Sequence, residues 1–177
     1  MIQELMIKRC GGIEDIMLLI GAEAIMTINY KEIPFSEVEQ LRPLWEKLRI
    51  HHYERASDFK NDFATTTFEQ RQQKLMKNKK AIKIYVAEET SLGRIIGYCI
   101  ASLHEDGRGE IDSIYIEAEY RKLGIGRTLM KRSLEWFAAV GVTEILIEVA
   151  VGNEAALPFY RQFGFAPRTY LLKRKPV

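Results

Sequence analysis

Cysteine is scarce in this chain: Cys10 and Cys99 stand far apart in 177 residues, with no Cys-x-x-Cys pair. That argues against a disulfide framework and a structural zinc cluster, and it points to a reducing, cytoplasmic setting. Charge of one sign is lacking too. Lysine and arginine total 26 against 24 acidic residues, and a net charge of +2 does not argue for nucleic acid or a membrane surface as partner. Long hydrophobic runs are also missing. The best candidate, residues 16–22, is bracketed by Glu14, Asp15 and Glu23, is too short to cross a bilayer, and lacks a small-residue cleavage site. It reads as neither signal nor anchor. His51, His52 and His104 lack the acidic or cysteine companions of a metal site, so no metal is predicted.

What is present, 47% hydrophobic and 28% charged residues, suits one folded domain with a sizeable core. Residues 1–25 read as an N-terminal extension, either an upstream addition or a short docked helix, and residues 26–177 as the domain. Residues 27–33 read as a strand. Ser36 and Glu39 have capping-box spacing, opening a helical segment to about Ala56 that buries Leu41, Leu44, Trp45 and Leu48. Pro43 should kink or restart it. Residues 58–67 are polar and turn-prone, and residues 68–77 read as a second helix.

The second half is richer in strands. Residues 82–87 and 95–103 form a hairpin around Ser91-Leu92-Gly93, and residues 110–117 make a largely buried strand. A helix over 125–140 with Met130, Leu134 and Phe137 inward stops at Gly141. Residues 144–150 are another strand, Asn153 caps a helix ending at Gly164, and residues 168–173 suit a last strand. The order gives a mixed α/β layer arrangement.

The segment Arg121-Lys122-Leu123-Gly124-Ile125-Gly126-Arg127 joins a buried strand to an amphipathic helix. Without side chains at Gly124 and Gly126 the backbone can approach a ligand, and the unpaired N–H groups and positive dipole end of the helix favour phosphate. Arg121, Lys122 and Arg127 can add charge there. This is not a Walker loop, since no Gly-Lys-Ser/Thr follows, and Leu129 occupies the third glycine position of a dinucleotide fingerprint. A glycine turn with a purely structural role is the alternative.

Arg-x-x-Gly-x-Gly in this setting resembles the acyl-CoA turn of the GNAT acetyltransferases. Downstream, Asn153-Glu154-Ala155-Ala156-Leu157-Pro158-Phe159-Tyr160-Arg161-Gln162-Phe163-Gly164-Phe165 resembles that family's second segment, and the likeness covers about residues 27–172. It implies an α/β (α+β) GNAT fold: a central mixed, mainly antiparallel sheet splayed between the fourth and fifth strands and flanked by about four helices. It also implies acetyl-CoA as cosubstrate, with Ile114, Tyr115, Ile116, the 121–127 turn and Asn153 contacting it.

Acetyl transfer to an amine needs a neutral amine, an oxyanion donor and a proton for the departing thiolate. By resemblance Tyr160 is the acid, suitably protonated at a phenol pKa of ~10. Backbone N–H groups of residues 114–116 serve the oxyanion beside a bulge that parts the strand from residues 144–150. Glu148 matches the base of ribosomal-protein N-terminal acetyltransferases and Glu110 that of histone-type enzymes; one of them is expected to act. The resemblance implies a small cationic molecule or a peptide amine as acceptor and matches residues 51–77 to the acceptor-facing region, where Asp58 and Asp62 are read first as a solvated loop and otherwise as an attraction for a cationic amine. Pro158 should shorten or kink its helix. Residues 165–177 have room for little more than one of the family's two final strands, so a homodimer partner is expected at that edge. Two rivals remain: a non-catalytic acyl-CoA-binding module and a nucleotide-binding oxidoreductase. Cys99 reads as a small buried residue.

Overall fold

The computed structural model describes residues 7–9, 16–20 and 24–175, with side chains from residue 26 onward. Cys10, Glu14, Asp15 and Glu23 lie outside the described residues. The strands β1 (Ile7–Arg9), β2 (Ile16–Ile20) and β3 (Ala24–Ile33) are followed by a 3-10 helix (Phe35–Leu41) and three helices, α1 (Arg42–Arg55), α2 (Lys60–Thr65) and α3 (Phe68–Met76). Then come β4 (Lys79–Glu89), β5 (Arg94–His104), β6 (Gly109–Ile116), α4 (Ile125–Ala139), β7 (Ile145–Ile147) and α5 (Leu157–Arg161).

The sheet runs in chain order from β1 to β7. Neighbours are antiparallel through β6, and the crossover helix α4 returns the chain so that β7 joins β6 in parallel. Only three pairs hold that last junction, ending at Ile111 with Ile147. Beyond them β6 runs on to Ile116 without β7; counted from β3, these are the fourth and fifth strands, between which the splay was expected. Ile16–Ile20 is a strand paired to β3, so the docked-helix alternative does not describe it, and β3 itself begins at Ala24.

Each face of the sheet has its own core. Cys99, Ala101, Ile111, Leu129, Met130 and Phe137 pack on the α4 side. Leu41, Leu44, Trp45, Phe68, Leu75, Val86 and Ile100 pack on the α1 and α3 side. Each fully buried Leu or Phe contributes roughly 1.5–3 kcal/mol through removal from water, and together they hold β6 in the middle of two layers.

Local expectations were partly overturned. Pro43 restarts the helix as expected, lying in the first turn of α1 where its missing N–H leaves no bond unmade. The Ser36–Glu39 box does not form: Pro34 holds the cap position, and the Glu39 carboxylate accepts from Arg42 instead. The box forms at α3, where Thr67 Oγ1 accepts from the Gln70 N–H at 3.2 Å and Gln70 Oε1 from the Thr67 N–H at 3.0 Å. Residues 58–67 contain the short helix α2. Residues 148–150 are not strand, and neither are residues 168–173. That tail is held by side chains rather than by a ladder: Arg168 to Glu144 at 3.3 Å, Lys173 to Asp62 at 2.7 Å and Lys175 to Asp58 at 2.5 Å.

Candidate active site

The turn at residues 121–124 connects β6 to α4 through a 3-10 turn, Ala118–Tyr120. Lys122 and Gly124 both have positive φ, 66° and 84°. Glycine is suited to the second because a Cβ costs energy in that region. A Cβ built on Gly124 would meet nothing within 4 Å, so the space above the helix start is open. The first backbone bond of α4 runs from the Thr128 N–H to the Gly124 carbonyl at 3.0 Å. The N–H groups of Ile125, Gly126 and Arg127 therefore have no intrahelical acceptor. Ile125 anchors the helix start in the core, and Gly126 lies against Phe159 of α5, whose ring would be 3.5 Å from an added Cβ. Gly126 thus also sets how closely α5 approaches α4.

Three cationic residues surround this turn. Arg121 donates from Nε to the Ile116 carbonyl at 3.0 Å and lies over the Tyr115 ring. Arg127 donates to Gln162 and lies over Phe163. Lys122 is exposed and Leu123 partly buried against the core. The donors, the open space and the positive charge fit the diphosphate of a CoA-type molecule.

Along β6, Asp112 is an extra residue between Ile111, opposite Ala101, and Ser113, opposite Ile100. This is a β-bulge, pinned by Arg71 of α3, which donates to the Asp112 carbonyl at 2.7 Å. Past the bulge the ladder fixes which backbone groups are open. The Glu117 N–H donates to the Ile96 carbonyl at 2.9 Å. Antiparallel alternation then turns Tyr115 toward β5 and the N–H groups of Ile114 and Ile116 toward the splay, where β7 has ended. Tyr115 itself packs its ring on the α1 side.

The two glutamates differ in surroundings. Glu110 is half-buried opposite Leu146, inside the paired part of the junction, and its Oε2 lies 2.7 Å from both Lys79 Nζ and His104 Nε2. Burial pushes its carboxyl up, but those two partners outweigh burial and hold it below the usual carboxylate range. Lys79, whose side chain is only 5% exposed, also reaches Asp112 at 3.3 Å. Glu148 is the first residue past the last β6–β7 pair and is exposed, with no hydrogen bond or ion pair among the described residues.

Tyr160 is on α5, partly buried among Phe159 and the α4-side core. Pro158 lies in the first turn, and α5 is cut to five residues behind a 3-10 turn, as a proline there requires. Burial, with Cys99 nearby, pushes the phenol up to about 12. Cys99 is buried, accepts from Ser133 Oγ at 3.2 Å, and has its thiol pushed up to about 12 by burial, which suits packing rather than nucleophilic work. Asn153 precedes the 3-10 turn but makes no side-chain cap. Its Oδ1 lies 3.2 Å from His51 Nε2 on α1.

The structure thus leaves Ile114 and Ile116 on the part of β6 that runs beyond β7, with Glu148 just past the last pair and Glu110 one step inside it; Gly126 of the turn lies near Ile116 and Phe159 of α5, the helix that carries Tyr160, while Asn153 lies against α1. Sequence reasoning missed His51, Gln162 and the Lys79–His104 pair around Glu110. Their partners lie 102, 35, 31 and 6 residues away, and no local pattern marks the long-range contacts. Among the described residues no group of three His, Cys, Asp or Glu side chains gathers as a metal site, and no helix is long and apolar enough to cross a membrane.

Residues 45–165 match the model of the acetyltransferase (GNAT) family. A segment of 91 residues is 40% identical to the uncharacterized N-acetyltransferase MJ1530 of Methanocaldococcus jannaschii, covering 50% of this chain and 56% of that protein. Another, of 58 residues, is 43% identical to N-alpha-acetyltransferase 30 of Schizosaccharomyces pombe, covering 33% of this chain and 39% of that one. The chain therefore spans about half the length, or less, of these relatives. The fold is similar to a GCN5-related N-acetyltransferase from Ralstonia eutropha JMP134, with a TM-score of 0.66 at 19% identity over 84% of this chain and 98% of the other.

Proposed function

The chain belongs to the acetyltransferase (GNAT) family, whose members are acetyl-CoA-dependent N-acetyltransferases, and from that premise we propose that it moves an acetyl group from acetyl-CoA directly to a primary amine. The observation that carries the reading is the parting of β6 and β7 beyond Ile111 and Ile147, beside a glycine turn whose N–H groups are open. Acetyl-CoA supplies the thioester carbonyl. The Ile125, Gly126 and Arg127 N–H groups, with Arg121, Lys122 and Arg127, hold its diphosphate. The Ile114 and Ile116 N–H groups line the gap and stabilise the oxyanion.

Glu148 is the better base. Among the described residues it has no hydrogen bond or ion pair, and it lies just past the last β6–β7 pair, whereas the Glu110 carboxylate is already bound by Lys79 and His104. Glu148 accepts the ammonium proton, directly or through one water. As the amine nitrogen bonds to the carbonyl carbon and the C–S bond breaks, the Tyr160 hydroxyl gives its proton to the departing thiolate and the second proton lost by the nitrogen restores the phenol; burial keeps Tyr160 protonated until then. The acceptor is a peptide amine or a small cationic molecule. A region matching an N-alpha-acetyltransferase favours the peptide amine.

Among the described residues no strand pairs with the outer edge of β7. The tail, tied through Arg168 to Glu144 just before β7, carries Tyr170, Leu171 and Leu172 at 88%, 94% and 89% exposure. A second copy of the chain covering this edge would bury that run, and a homodimer is the proposed assembly.

Thiol release from acetyl-CoA, followed with a panel of peptides with free N-termini, polyamines and aminosugars, tests the activity. Release with at least one amine, lost in Glu148→Gln and Tyr160→Phe, is expected. No release with any amine by a protein that binds acetyl-CoA would favour a non-catalytic acyl-CoA-binding module.

A further inference from the structure

We propose that Arg55 and His51 of α1 form a positioning relay that turns the Asn153 side chain so that its amide N–H groups, not its carbonyl, face the acyl donor. The inference rests on the acetyl-CoA reading and deepens it. A guanidinium has donors only, so Arg55 NH1, 3.0 Å from His51 Nδ1, makes that ring nitrogen an acceptor. An imidazole whose Nδ1 accepts carries its hydrogen on Nε2 in the neutral form. Nε2 lies 3.2 Å from Asn153 Oδ1 and therefore donates to it. The two ends of the Asn153 amide are distinguished by this chain of donors. Oδ1 is engaged by α1, and Nδ2 has no hydrogen bond among the described residues.

The backbone explains why α1 reaches this far. Gly152 has φ +92°, and a Cβ there would lie 2.3 Å from the Arg55 carbonyl oxygen and 2.8 Å from its carbon. Only glycine allows the loop to press on the last turn of α1. The loop is pinned on its other side as well. The Gly152 N–H donates to Glu154 Oε1 at 2.9 Å and the Asn153 N–H to the Ala150 carbonyl at 3.0 Å. Asn153 makes no side-chain cap on the turn it precedes, and among the described residues its amide has no hydrogen bond besides the one to His51. A pantetheine arm carries amide carbonyls, which are acceptors, and a fixed –NH2 is the matching donor. His51 touches Asn153 rather than any reacting atom, so it is a positioning residue.

Equilibrium dialysis with labelled acetyl-CoA, run on the wild type and on His51→Leu and His51→Gln after thermal melts confirm folding, tests the relay. Leucine keeps the volume and removes both bonds. Glutamine offers Oε1 to Arg55 and Nε2–H to Asn153. The relay predicts that Kd, and KM for acetyl-CoA, rise about tenfold in His51→Leu, the loss of roughly one hydrogen bond, with KM for the amine unchanged and glutamine restoring most of the affinity. Asn153→Asp, which keeps the acceptor for His51 and removes the donor, should lose at least as much. Wild-type binding by His51→Leu would overturn the relay and leave the acetyl-CoA reading standing, as would equal losses in the leucine and glutamine variants. Absence of binding by the folded wild type would remove both.

Discussion

At the residue scale the proposed transfer rests on Tyr160 as acid and Glu148 as base. Tyr160 is buried enough that its phenol stays protonated up to about 12, so no alkaline limb from this group should appear in the rate profile below about pH 11. Tyr160→Phe should lower kcat by roughly 10²-fold while leaving KM for acetyl-CoA within about twofold, as steady-state kinetics would show. Glu148→Gln should cost a similar factor, whereas Glu110→Gln should act chiefly on stability. Because Glu110 is held below its ordinary value in the folded state, its contribution is present above the unfolded carboxylate pKa and is lost as pH falls through the folded one. Glu110→Gln should therefore flatten the acid side of the stability profile in denaturant melts. An equal or larger fall in kcat/KM for Glu110→Gln would move the base to that residue. Glu110 and Glu148 were both legible in the sequence as candidate bases, although Glu148 falls one residue past the end of β7 rather than on it. What separates them, Lys79 at 31 residues' distance and the end of β7 pairing at Ile147, was not.

At the scale of elements, glycines and caps show where sequence patterns suffice. Gly124 was legible because its turn, its strand and its helix are contiguous. Gly152 was not, since the reason for it is the Arg55 carbonyl about a hundred residues earlier. Gly152→Ala should destabilise the fold by about 2–4 kcal/mol, from positive φ together with a backbone overlap, measured as a shift of the urea midpoint. The Ser36–Glu39 box failed because Pro34 takes the cap position and the Arg42 guanidinium engages Glu39, while the Thr67–Gln70 pair has the same spacing and does form. Helix α1 also carries a pH-dependent cost. Burial, with His51 and Arg55 adding to it, lowers His52 to about 4. The unfolded chain then binds the extra proton first, so stability is full above about pH 6.5 and declines as pH falls toward 4. The loss at pH 5 should be on the order of 1 kcal/mol after allowance for partial exposure, and His52→Phe, next to Phe63, should abolish it.

At the scale of the whole molecule, the layer architecture was legible because strand and helix periods alternate cleanly from residue 82 to Ala139 and because two motifs occur in the family's order. The ends were less so. Residues 148–150 and 168–173 have strand composition but no paired neighbour among the described residues, and composition alone does not supply a ladder. If a second copy covers the β7 edge, light scattering at micromolar concentration should give twice the chain mass, and Tyr170→Asp with Leu172→Asp should return it to one chain. A monomeric wild type would remove the dimer without touching the site.

The central claim, that the 121–127 turn holds acetyl-CoA, is tested most directly by calorimetric titration of the protein with acetyl-CoA beside Gly124→Glu. The substitution places a carboxylate in the open space above the helix start and strains a φ of 84°. Saturable binding by the wild type, abolished in a variant that still melts cooperatively, is the predicted result. No heat of binding from the folded wild type, or undiminished binding by Gly124→Glu, would contradict the account.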